Sequence, residues 1–139
     1  MEVNKVDNKI SFGYKTLLKD LWMKGELPTV KYGLYRKKLT KKNCSNEHLI
    51  PYSLGGPTNP SNIALADKFI NNARGNSDIR LFLTIDDIKQ YLLQFVDVIV
   101  KKNNKVIFSG NEYIKGIIPT FKKLGFKFED KKARIDMYL

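Results

Sequence analysis

The feature that most restricts the fold is an eight-residue stretch near the middle of the chain, Gly55-Gly56-Pro57-Thr58-Asn59-Pro60-Ser61-Asn62. Adjacent glycines leave the backbone loose, and each proline lacks the N–H that a helix or a sheet ladder would use. Asparagine and serine bond their own backbone and favour turns. A tight loop is the outcome. Short segments of strand length flank it, Glu47-His48-Leu49-Ile50-Pro51 before and Asn62-Ile63-Ala64-Leu65-Ala66 after. Asp67 then caps a short helix to about Arg74, with Gly75 as its stop.

Outside this centre the pattern is helical. Tyr14, Leu17, Leu18, Leu21 and Trp22 recur at helical spacing, predicting a helix over Ser11 to Lys24 that ends at Gly25. Leu27-Pro28 marks an extended exit, and the basic stretch beyond it reads as a hairpin or irregular extended segment around Gly33. Thr84-Ile85-Asp86-Asp87 opens a second helix with an acidic first turn. Its apolar stripe of Ile85, Ile88, Tyr91, Leu92, Phe95, Val96 and Ile99 predicts a helix lasting to about Lys102. Asn103-Asn104 makes a turn, Val106-Ile107-Phe108 a brief strand, and Glu112 to Leu124 a last helix bent near Pro119. From Gly125 the tail alternates charge and aromatics, a pattern that pairs as a strand or frays. There is no internal repeat.

At 139 residues and 42% hydrophobic content, one domain with a real core is expected. No apolar run is long enough to cross a bilayer, and the first residues lack an apolar signal core, so a soluble, cytoplasmic protein without a membrane partner is expected. Cys44 is the sole cysteine, which rules out an internal disulfide and a Cys-x-x-Cys knuckle and leaves it as a small filler.

The charge points to a partner. Lys and Arg number 25 against 14 Asp and Glu, a net +11, and such a surplus favours a polyanion whose counterions are released on binding. No acidic residue falls between Glu26 and Glu47, whereas Lys31, Arg36, Lys37, Lys38, Lys41 and Lys42 all do, interleaved with Tyr32 and Tyr35. Arg36, Lys37, Lys38, Lys41 and Lys42 are therefore expected to track phosphates.

That cluster leads into Glu47-His48, followed by Asn62 fourteen residues after His48 and by Asn71 nine residues later, in Asn71-x-x-Arg74-Gly75. A histidine accepts a proton near neutral pH, and a carboxylate with an amide carbonyl suits a hard divalent cation. On a flat strand Glu47 and His48 point to opposite sides. Convergence on one pocket then needs twist, a bulge, or backbone ligands.

Glu47-His48-Leu49-Ile50-Pro51-Tyr52-Ser53-x-Gly55-Gly56, then Asn62, then Asn71-x-x-Arg74-Gly75, resembles the HNH endonuclease family. The similarity covers about 44–75. It implies an α+β fold: a small ββα-metal core with amphipathic helices added on both sides, the C-terminal extension at about 84–124. It also implies DNA phosphodiester hydrolysis, with His48 deprotonating water, Glu47 and Asn71 holding Mg²⁺ or Mn²⁺, and Asn62 organising the loop and orienting the histidine. Arg74 is expected on a phosphate, with Asp78 as its alternative partner. Two departures stand out: Glu47 replaces the more usual aspartate, and Asp67 and Ile70 stand where many members have cysteines, so no structural zinc is expected. DNA is the expected partner, with RNA still open; double-strand cleavage by one site would take a homodimer or two visits. Free-standing proteins of this size resemble phage or mobile-element endonucleases, acting in the host cytoplasm. The rival readings are an HNH-like module that binds nucleic acid without cutting it, and a basic structural or ribosome-associated protein.

Overall fold

Residues 17–128 are described in the computed structural model, and they form an α+β arrangement with two small antiparallel sheets. In chain order come α1 (Leu17–Met23), β1 (Cys44–His48), β2 (Ile63–Asp67), α2 (Lys68–Arg74), α3 (Ile85–Leu93), β3 (Ile99–Lys102), β4 (Lys105–Ser109) and α4 (Gly110–Lys123). Tyr14 and the predicted start of the first helix at Ser11 lie outside the described residues, as does the tail beyond Phe128.

The central loop closes a hairpin in which β1 and β2 pair from Cys44↔Asp67 to His48↔Ile63 without a bulge. The chain turns sharply at Gly55, which adopts φ 90°, and Gly56 packs so closely that a Cβ would lie 1.8 Å from the Ile50 carbonyl oxygen. Asp67 then caps α2 by accepting from the N–H groups of Phe69 (2.9 Å) and Ile70 (3.0 Å). Gly75 follows with positive φ, so the predicted strand, loop, strand and helix all occur in order, with strand limits shifted by a few residues.

Every residue of β2 is buried. Its outer edge is satisfied by two tyrosine hydroxyls and the backbone N–H of Leu34 rather than by a third strand. The Leu65 N–H donates to the Tyr91 hydroxyl (2.9 Å), and the Tyr113 hydroxyl donates to the Ile63 carbonyl (2.8 Å). With those roles taken, Tyr91 donates to Tyr113 across 2.9 Å. Leu34 N–H reaches the Leu65 carbonyl between them. Burial pushes both phenols well above the ordinary tyrosine pKa, which keeps the chain of donors protonated. Tyr113→Phe would strand the Ile63 carbonyl and the Tyr91 hydroxyl in the core. A loss of about 1–3 kcal/mol is expected in urea unfolding.

The predicted long helix over 84–102 is overturned. Thr84 caps it through a reciprocal bond pair with Asp87, but α3 ends at Leu93. There the Gln94 side chain accepts from the Lys31 and Tyr32 N–H groups, and Thr29 Oγ1 donates to the Gln94 carbonyl (2.9 Å). Asp97 turns the backbone with φ 62°, held by Asn111 Oδ1 accepting from its N–H. The β-branched run Val98-Ile99-Val100 beyond it leads into β3 instead. The brief strand expected at 106–108 is β4, and the last helix spans Pro119 without interruption. Phe95 meets Phe108 edge-on, Tyr113 packs at a tilt against both, and the three rings join this second sheet to the core around β2.

Candidate active site

The hairpin and α2 carry all of the residues singled out between 47 and 74. Because β1 is unbulged, Glu47 and His48 leave it on opposite faces. Glu47 turns inward and is only 2% exposed. Its carboxylate accepts a hydrogen bond from the Tyr35 hydroxyl and lies 3.3 Å from the Arg74 guanidinium. Burial pushes the Glu47 carboxyl up, while Tyr35 and Arg74 pull it back down. Burial and the facing carboxylate push the Tyr35 phenol far up.

Arg74 is equally buried at 2% exposure. Its guanidinium donates to the carbonyls of Ser77 (3.0 Å), His48 (3.0 Å) and Leu49 (2.7 Å). The expectation that it contacts a phosphate is thus corrected, and its alternative partner Asp78 pairs with Arg80 instead. Arg74 clamps α2 to the end of β1, including the carbonyl of His48 itself.

His48 faces the loop. Its Nε2 lies 2.9 Å from Thr58 Oγ1, and Tyr52 packs edge-on with ring centroids 5.9 Å apart. Partial burial holds the imidazole below its ordinary pKa, which favours the neutral ring. Among the described residues Nδ1 has no hydrogen-bond partner. If Nε2 carries the proton and gives it to Thr58, Nδ1 keeps a lone pair to accept one. Tyr52 itself is 71% exposed beside this ring.

Asn62 does what the resemblance implied for the loop. It is buried, accepts from the Ile50 N–H (2.9 Å), and donates to the carbonyls of Ile50 (3.0 Å) and Pro57 (2.9 Å). It does not touch the imidazole; it fixes the loop that carries Thr58. Asn71 lies on α2 against the other face of β1, donating to Ser45 Oγ and the Asn46 carbonyl, both at 3.3 Å.

Glu47 and Asn71 therefore share one side of β1 and His48 stands on the other. The Glu47 carboxylate as arranged does not fit a divalent cation. One oxygen holds a phenol, the other faces a guanidinium, and a dication beside that buried arginine would meet strong like-charge repulsion. No three His, Cys, Asp or Glu side chains gather around a point among the described residues.

The basic stretch divides. Arg36 pairs with Asp86 and Asp87, which occupies its guanidinium. Lys37, Lys38, Lys41 and Lys42 are exposed and without ion pairs among the described residues. The segment is hairpin-like, with Tyr32 bridging Lys38. Of its two tyrosines, Tyr35 is core and only Tyr32 is open to a partner. Thr58 carried no signal in the sequence beyond its place in the turn-forming run, and Tyr35 stood out only as one of two tyrosines among the lysines; the spacing marks neither as a partner of His48 or Glu47, because each meets it only in the folded chain. No helix of the described residues is long and apolar enough to cross a membrane. Neither the protein-family models, nor the curated proteins, nor the solved structures contain a match to this chain.

Proposed function

We propose that the protein is an HNH-type endonuclease that hydrolyses DNA phosphodiesters with His48 as general base. The observation that carries this reading is the placement of one side chain: a partly buried imidazole at the end of β1, with Nε2 held by Thr58 and burial lowering its pKa. In-line attack on a phosphodiester needs a water stripped of a proton, and a neutral histidine is suited to take it at pH 7. The bed beneath the ring is stiff. Asn62 ties the loop, and Arg74 ties the strand end to α2. Lys37, Lys38, Lys41 and Lys42 supply the positive charge that would hold a phosphate backbone without reading its sequence.

Mg²⁺ or Mn²⁺ is the cofactor the resemblance implies, and a nuclease of this type is expected to need it. Glu47, committed to Arg74 and Tyr35, is not expected to hold it. Glu47→Gln is accordingly expected to leave any dependence on Mg²⁺ or Mn²⁺ unchanged in a titration of cleavage rate against metal. A dependence that disappears in this variant would return Glu47 to the metal.

A second reading is favoured by that same ion pair: an HNH-like module that binds DNA but no longer cuts it. Supercoiled plasmid incubated with and without magnesium, and with EDTA, separates the two. Nicking that needs the metal and His48 supports the nuclease. Binding without nicking supports the module.

A further inference from the structure

The β3–β4 hairpin is a feature that neither the motif nor the basic stretch accounts for. Val100 and Phe108 anchor its base in the core, and beyond them Lys101, Lys102, Asn103, Asn104, Lys105 and Val106 are all exposed. Lys102 pairs directly with Lys105, and Lys101 with Val106. The two asparagines between them have φ 53° and 64°, the positive values of a type I′ turn that matches the twist of the strands. Three lysines thus crowd the last two rungs of a two-stranded ribbon. None has an ion-pair partner among the described residues, although the chain makes such pairs elsewhere. Like charges placed directly opposite each other destabilise a free ribbon. The arrangement becomes favourable when a polyanion lies against it.

We propose that this tip is a DNA-contacting element that enters the major groove. The choice of duplex DNA rests on dimensions and chemistry. A B-form major groove admits a two-stranded β-ribbon, whereas the A-form groove of duplex RNA is too deep and narrow for it. Lysines on the rungs reach the flanking phosphates, and the turn amides present the donor and acceptor pair that adenine edges take. The base of this hairpin is tied to the strand pair that carries His48, since Phe108 packs on Tyr113, whose hydroxyl donates to the carbonyl of Ile63, the residue paired with His48. The inference extends the reading of a DNA substrate given above and stands apart from whether that DNA is cut.

The test is the salt dependence of binding to a short DNA duplex, in a His48→Ala background so that the probe stays intact. The triple variant K101Q/K102Q/K105Q is compared with its parent, with circular dichroism melting as the folding control. Three lost phosphate contacts are expected to make the slope of log K against log salt shallower by about 2.7. Equivalently, from about 50 to about 200 mM salt the parent should lose about forty-fold more affinity than the variant. If the triple variant melts early, K102Q alone replaces it, with an expected slope change of about 0.9. An unchanged slope overturns the proposal, as does an equal loss on a duplex RNA of the same sequence, or a parent that does not bind DNA. DNA binding with the expected slope change, by a protein that never nicks plasmid, upholds the hairpin and removes the nuclease.

Discussion

His48→Ala is expected to lower the rate of plasmid cleavage by about a hundred- to ten-thousand-fold, the usual contribution of a positioned general base. The loss should come with little change in thermal stability. The ring is half-buried and makes one side-chain hydrogen bond, to Thr58, so its removal costs on the order of 1 kcal/mol. The pH profile identifies the group. A base works only when neutral, and burial holds the His48 pKa below its ordinary 6.5. As pH rises, kcat/KM should therefore climb through a midpoint below 6.5 and level off above it, where an unperturbed histidine would still be gaining activity. Residual cleavage in His48→Ala should lack that limb. A variant that cuts as fast as its parent would place the base elsewhere.

Arg74→Ala is expected to be the most destabilising single substitution in the hairpin and α2, at about 3–5 kcal/mol. The guanidinium satisfies three carbonyls and neutralises Glu47 in a site closed to water. Removing it leaves a buried carboxylate with Tyr35 alone, and two unsatisfied carbonyls at the end of β1. A loss of that size is a large share of the 5–15 kcal/mol that holds a typical domain together. The pH dependence separates this cause from simple loss of volume. Burial already lifts the Glu47 carboxyl above its usual value of 4.5, and without the arginine it rises further. A group whose pKa is higher in the folded state takes up protons first on folding. Its favourable contribution is complete below about 4.5 and disappears as pH rises through the folded-state value. Urea midpoints for Arg74→Ala should thus fall from pH 4 towards pH 7 more steeply than those of the parent. Parallel curves would mean that the guanidinium acts through packing alone.

Both substitutions bear on one functional unit, since Arg74 bonds the carbonyl of the residue that carries the imidazole. An arginine that looked like a phosphate ligand from its place in Asn71-x-x-Arg74-Gly75 instead sets the position of the strand end. On the proposed reading, the phosphate contacts would fall to the lysines of 37–42 and of the β3–β4 tip, which have no ion-pair partner among the described residues.

Local chemistry was readable in the sequence wherever the cause was local. The turn-forming run 55–62, the Asp67 cap, the Gly75 stop and the Thr84–Asp87 capping box each depend on residues a few positions apart, and each occurs in the fold. The Glu47–His48 alternation follows from the same short-range geometry, whereas the loop-organising role of Asn62 was implied only by the family resemblance. Only the tertiary structure decided the end of α3, because the groups that stop it come from Thr29, Lys31 and Tyr32, sixty residues away. It alone also turned Arg74 and Tyr35 onto Glu47, and Tyr91 and Tyr113 onto the edge of β2. A buried polar group takes whichever partner the packed chain brings within reach, and that choice is made by the whole fold, not by spacing along the chain.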